Sequence, residues 1–194
     1  MERYAQGERP KDLRVEKTID AIHAAFKEML LEMDFGSITV KELCERARVN
    51  KKTFYRYYPA IEYLLQEIQE EYVQGYLPHV KGLSFPDDAA TCAREFILYS
   101  AKQDELFEKI TCAGTHDSIR ESMIEQVMGE SVPQADEAPA GWDDGDWQLY
   151  LRLATSIPLI MYRTWVSGGK VLPVEVLAER AENVVARLTR SFGH

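Results

Sequence analysis

The sequence predicts an all-α chain of 194 residues, with a three-helix N-terminal head and a larger helical body. Three observations carry that prediction. Apolar residues recur at spacings of three and four in one segment after another, which places them on one face of a helix. No run alternates with period two, and no Asn-Gly or Asp-Gly pair is flanked by strand-like runs. The residues between the periodic segments are those that start and stop helices, with Thr, Asn and Asp before them and Gly or Pro after. There is no internal repeat.

The first helix is predicted over 13–34, with Val15, Ile19, Ile22, Phe26, Met29 and Met33 on its inner face and Phe35-Gly36 ending it. "TVKE" at 39–42 is a capping-box pattern, a Thr with Glu three residues later. It opens a short helix that turns Val40, Leu43 and Ala47 inward. Asn50 is a good N-cap for the next short helix, 51–57. After Pro59 a fourth helix carries Ile61, Leu64, Leu65, Ile68 and Tyr72 and is expected to fade near Gly75 and Pro78. Further helices are predicted over 88–102, from a cap at Asp104 through Leu106, Phe107 and Ile110, and over 116–129. The stretch 130–146, "ESVPQADEAPAGWDDGD", reads as a mobile acidic loop, from which Trp142 is expected to dock back on the body. Residues 147–167 are apolar on nearly every side, the mark of a buried helix, and Gly168-Gly169 stops it. The last helix, 173–191, spaces Val174, Leu177, Ala181, Val184 and Leu188 as a helix–helix seam.

Composition narrows the class of protein. Apolar residues make up 45% and charged residues 28%, which suits an ordinary soluble domain with a real core. The N-terminus has no apolar signal-peptide core, and Ile157–Met161 is far too short to span a bilayer. Cys44, Cys92 and Cys112 are too few and scattered for a disulfide framework, so a reducing, cytoplasmic home without membrane attachment is expected. The net charge of −9 is unevenly spread. Residues 1–58 hold 12 Lys/Arg against 10 Asp/Glu, a balance of +2, and residues 59–194 hold 11 against 22, a balance of −11. A basic head on an acidic body points to nucleic-acid contact by the head.

Three helices in about 50 residues, the second and third joined by a tight turn, describe a helix-turn-helix unit. Its second short helix is the one that enters a major groove. Lys51 and Lys52 stand at the start of that helix, where the macrodipole disfavours cations. Beside phosphate oxygens they become favourable, so the broken local rule marks a functional site. Thr53 can bond a base edge or a phosphate, and the hydroxyls of Tyr55, Tyr57 and Tyr58 can reach phosphates, although one or two of these rings are needed in the core. The plainer alternative is a small bundle with a solvated basic face.

Residues 14–65, and above all "FGSITVKELCERARVNKKTFYRYYPAIEYLL", resemble the tetracycline-repressor (TetR) family of transcriptional regulators. Gly36, Thr39, Val40, Leu43, Ala47, Val49, Thr53, Phe54, Tyr55, Tyr57, Glu62 and Leu64 match its pattern. The rest of the chain is similar only in its helical layout. The resemblance implies a DNA-binding domain over 1–58 and a ligand-binding and dimerisation domain over 59–194. It implies that Thr39 caps its helix and touches a phosphate, that Lys51, Lys52 and Thr53 face bases or nearby backbone, and that Tyr55 and Tyr57 hold phosphates. Tyr58 stands at the family's Phe position, so core packing is its expected part. Arg48 replaces the turn glycine, a position that can require a left-handed backbone, and offers DNA one more cation. Asn50 replaces a serine cap. Ala60 and Ile61 replace Ser-Lys, so a phosphate-contacting lysine is lost, for which Arg48 or Arg56 can compensate.

For the body, the resemblance implies an unknown small-molecule ligand and a two-fold homodimer on a near-palindromic double-stranded operator, most often acting as a repressor. The helices at 147–167 and 174–188 are more apolar than a monomer of this size needs, which agrees with an interface at Trp165, Val174, Leu177, Ala181, Val184 and Leu188. Phe96, Tyr99, Phe107, Met123, Tyr150 and Ile157 are candidates for the ligand pocket, and are of the same types that fill cores. Pro158 frees the carbonyl of Ala154, either as a packing kink or as a pocket wall. No catalytic set, metal site or cofactor is expected. His23, His79, His116 and His194 lack ligand spacing with the cysteines, and His23 is expected to pack. Cys44 is expected to be a buried, inert thiol rather than a redox switch. Two other readings are a helical adaptor that binds a protein instead of an operator, and an enzyme, which has no constellation of residues behind it.

Overall fold

The computed structural model describes residues 13–112 and 138–192. Every regular element in them is helical. The chain divides into two compact units, one ending at Leu65 and the other starting at Gln66. The helix expected at 116–129, with Met123, and the first part of the acidic loop lie outside the described residues, as do His116 and His194.

In the first unit α1 spans Leu13–Glu32, α2 Val40–Ala47 and α3 Lys51–Tyr57, with a single 3-10 turn at Phe35–Ser37. The inner face of α1 is Ile22, Ala25, Phe26, Met29 and Leu30; Val15, Ile19 and Met33, expected with them, are only half-buried. From α2 the chain buries Leu43, Cys44 and Ala47, and from α3 only Phe54. Phe26 meets the edge of Phe35, and Phe54 packs on Tyr58, so aromatic rings seal the small core.

Helix α4, Glu62–Val80, opens beside this core with Leu64 and Leu65 buried. It runs through Gly75 and Pro78, where the sequence predicts it to fade. Gly75 is not a stop but a gap: a Cβ there would lie 2.5 Å from the Tyr99 hydroxyl, which donates to the Tyr72 carbonyl at 2.7 Å. Pro78 sits in the last turn, where the carbonyl it frees belongs to a helix about to end.

The second unit continues with α5 (Ala89–Ser100), α6 (Glu105–Cys112), α7 (Asp144–Ser167) and α8 (Val174–Phe192). Helix α8 packs on α5 and α7, and α6 packs on α7. Asp104 caps α6 as predicted, accepting from the Phe107 amide at 2.9 Å. Trp142 docks on the body, its ring 4.9 Å from Tyr150 and stacked at 6.0 Å on Phe192. The expected loop ends earlier than predicted, because Asp143 caps α7 by accepting from the Gly145 and Asp146 amides.

Two expectations about the body are corrected. Helix α7 is not buried all round: Trp147, Tyr150, Leu151, Ala154, Pro158 and Tyr162 face the core, while Leu149 is 50% and Ile160 58% exposed. The even seam on α8 also divides. Leu177 and Ala181 are buried within their own chain together with Ala178 and Val185, which leaves them no surface for a partner. Val184 is exposed, and Trp165, Val174 and Leu188 are half-buried. At about 100° per residue the buried Leu177, Ala178, Ala181 and Val185 share one arc of the helix, and Val184 stands about 20° beyond its Leu177 edge, so the core lies to the Ala178 side of the expected stripe.

Among the described residues no helix is long and apolar enough to cross a membrane.

Candidate nucleic-acid interface

Helix α2 begins with a reciprocal cap. The Thr39 hydroxyl accepts from the Glu42 amide at 3.2 Å and donates to the Glu42 carboxylate at 2.8 Å. The helix ends in a Schellman turn, in which the Val49 amide reaches the Cys44 carbonyl and the Arg48 amide the Glu45 carbonyl. That turn needs a left-handed residue, and Arg48 supplies it at φ 55, ψ 39. For a residue with a Cβ this conformation costs about 1 kcal/mol.

Asn50 then caps α3. Its side-chain oxygen accepts from the Thr53 amide at 2.7 Å and from the Thr53 hydroxyl at 3.0 Å. The Thr53 proton is thereby engaged, so a contact from Thr53 to a base or phosphate uses its oxygen or methyl unless the cap opens. Phe54 and Tyr58 turn inward, and the Tyr58 hydroxyl lies 2.9 Å from His23 Nε2 on α1. The packing expected of Tyr58 is found, with a polar tie to His23 that the sequence did not reveal. The outer side of α3 is left to Lys51, Lys52, Tyr55 and Arg56, all exposed. Lys51 neighbours Tyr55 and Lys52 neighbours Arg56 at i, i+4, so these four form one strip. Tyr57 is half-buried at its edge, 5.9 Å below the Arg56 guanidinium.

The charges around the strip separate into two kinds. Arg46 is held by Glu32 through two hydrogen bonds of 2.6 and 2.7 Å. That fork ties the end of α1 to α2, and the hydrogen bonds and charge of Arg46 hold the Glu32 carboxyl below its usual range. Arg48, Lys51 and Lys52 have no carboxylate partner among the described residues. Sequence spacing could not reveal the Glu32–Arg46 pair, because its members are 14 residues apart on different helices. A depression lined by Met29, Met33, Glu42, Glu45 and Arg46 lies on the α1–α2 side, where its two acids make it a poor seat for phosphate. Cys44 is buried, and burial pushes its thiol up against the opposing pull of Lys51, which agrees with an inert core thiol.

The candidate pocket residues of the body fall into two groups. Phe96, Tyr99 and Phe107 join Tyr72, Tyr76 and Tyr162 in a chain of edge-on and tilted rings with centroids 5.0 to 6.3 Å apart. Their hydroxyls are occupied within the chain: Tyr72 donates to Asp104, Tyr76 to the Cys92 carbonyl, Tyr99 to the Tyr72 carbonyl and Tyr162 to the Ser100 carbonyl. Burial pushes all four phenols above their ordinary range. Tyr150 lies elsewhere, between Trp142, Trp147 and Phe192, with its hydroxyl on Thr189. Ile157 is half-buried against the core. The buried amide nitrogen of Gln69 and the hydroxyl of Ser100 have no hydrogen-bond partner among the described residues.

Comparison with known proteins bears on the head first. Residues 22–68 match the family model for bacterial regulatory proteins of the tetR family. An uncharacterized HTH-type transcriptional regulator of Bacillus subtilis (strain 168), YxbF, is 31% identical over 87 residues, which is 42% of this chain and 23% of that protein. The matched segment therefore spans less than a quarter of that relative's length. Among solved structures, a TetR transcriptional regulator from Streptococcus agalactiae 2603V shares the fold, with a TM-score of 0.67 at 21% identity over 90% of this chain and 97% of that one. The dihydroxyacetone kinase operon activator DhaS is a weaker likeness, with a TM-score of 0.49 at 20% identity over 91% of this chain and 98% of that one.

Proposed function

We infer that this chain, whose helix-turn-helix head belongs to the tetR family of bacterial regulatory proteins, is a one-component transcriptional regulator that binds duplex DNA through α2 and α3. The observation that carries the reading is the strip on α3: three cations with no acid on the helix, two of them, Lys51 and Lys52, exposed and without a carboxylate partner among the described residues, beside an Arg46 that has its own carboxylate. Cations left without an internal partner gain most from phosphate oxygens, and their binding releases counterions from DNA. Lys51, Lys52 and Arg56 then contact the backbone and groove edge, Tyr55 and Tyr57 offer hydroxyls to phosphates, and Thr39 places the start of α2 against the strand. The chain works as a cytoplasmic homodimer and binds a near-palindromic operator with half-sites roughly 34–36 Å apart or a modest multiple. It acts as a repressor, and a small ligand in the body releases it by binding one arrangement of the dimer more tightly than the other.

A salt titration on duplexes selected from a random pool tests this. The Lys51→Ala/Lys52→Ala variant is expected to bind more weakly, its log–log salt slope falling by about 0.9 for each phosphate left unneutralised. Affinity equal to that of the parent chain would remove those lysines from the interface. The net charge of −9 and the isoleucine at 61 favour a second reading, a helical adaptor for a protein partner. Retention of no duplex from the pool at low salt, with a protein recovered instead, selects it.

A further inference from the structure

We propose that Arg48 is a phosphate-contacting residue for duplex DNA, kept in a glycine-type turn position for that contact. The inference rests on the DNA-binding reading above and adds to it a residue outside the recognition helix. Among the described residues only two non-glycine residues have positive φ, Arg48 at 55 and Lys170 at 57. Lys170 has a visible reason within its own chain: its ammonium pairs with Glu108 and lies 5.7 Å from the centre of the Trp165 ring. Arg48 has no such tie. Its backbone amide closes the α2 turn, but any residue can provide that, glycine with the least strain. Its side chain is exposed and, among the described residues, makes no hydrogen bond, ion pair or ring contact.

A cation at the end of α2 also suits the helix dipole. That benefit is screened by salt and does not need the rigid fork of arginine. Arg46 lies within the last turn of the same helix and already supplies a cation there. The remaining distinction of Arg48 is its place, two residues before the cap of α3 and three before Lys51, which extends the unpaired cations across the turn. A guanidinium at that point can grip two oxygens of one phosphate, fixing the register of the head on the duplex without reading sequence.

The experiment compares the full chain with Arg48→Gly and Arg48→Lys by fluorescence anisotropy on a selected duplex and on a random duplex of equal length, across a salt series. Arg48→Gly is expected to lose about tenfold in affinity at about 0.1 M salt, equally on both duplexes, with a salt slope about 0.9 smaller. Its thermal midpoint is expected not to fall, since glycine adopts this backbone without strain. Arg48→Lys is expected to keep the parent slope, since it keeps the charge. Parent-like affinity and slope in Arg48→Gly overturn the proposal, as does a drop of several degrees in its midpoint, which would make the residue structural. A loss confined to the selected duplex, or a slope in Arg48→Lys as low as that of the glycine variant, overturns the phosphate assignment. A parent chain without salt-dependent duplex binding defeats the DNA reading itself.

Discussion

At Gly75 the room for a side chain is already taken by the Tyr99 hydroxyl, which holds the Tyr72 carbonyl at 2.7 Å. Gly75→Ala is expected to destabilise the fold by about 1–3 kcal/mol through overpacking, although alanine is the better helix former. Tyr99→Phe removes both the obstructing atom and one hydrogen bond, at a cost of about 1 kcal/mol. The double variant should therefore be less destabilised than the sum of the two single variants, as urea unfolding would show; simple additivity would mean that the tyrosine hydroxyl is not what requires glycine. The Glu32–Arg46 fork and the Tyr58–His23 tie show the same dependence on partners far away in sequence. Each residue was visible as a charge or a ring, but its partner could not be assigned without the fold.

Helix α3 has seven residues and buries one of them, Phe54. An isolated helix of that length is unstable in water, so its order depends on its cap and on the neighbours it packs against. Asn50 provides the cap through two bonds to Thr53. Asn50→Ala is expected to lower stability by about 1 kcal/mol, and Asn50→Ser to restore most of it. Denaturant midpoints of the three proteins decide this; equal midpoints for alanine and serine would show that packing alone holds α3. Both caps of the head, Thr39 and Asn50, were legible in the sequence because a cap is a local interaction between residues three apart. The course of α4 was not, because glycine and proline are read locally as stops, while Tyr99 arrives from another helix.

In the whole molecule, burial divides the seam of α8 between two tasks. Leu177 is 5% exposed and belongs to the chain's own core, and Val184 is 43% exposed. Leu177→Ala is expected to cost about 2–5 kcal/mol of stability at any protein concentration. Val184→Glu should leave the fold of a single chain nearly unchanged and weaken the proposed self-association, read as a rise in the monomer fraction by sedimentation. A Val184→Glu protein as dimeric as its parent would place the interface on another face, with the exposed Leu149 and Ile160 of α7 as the next surface to test. The balance of +2 in the head and −11 in the rest also predicts that the head alone carries the attraction to DNA.

The all-α class of the described residues, most of their helix spans, both caps of the helix-turn-helix and the cationic character of α3 were legible in the sequence, because each follows from periodicity or from bonds between near neighbours. Tertiary structure alone decided which apolar residues face inward on α7 and α8, why Gly75 must be small, and which cations are already paired. Those outcomes depend on atoms brought together from distant parts of the chain, and an apolar stripe read in one dimension does not say which of its edges turns toward the core.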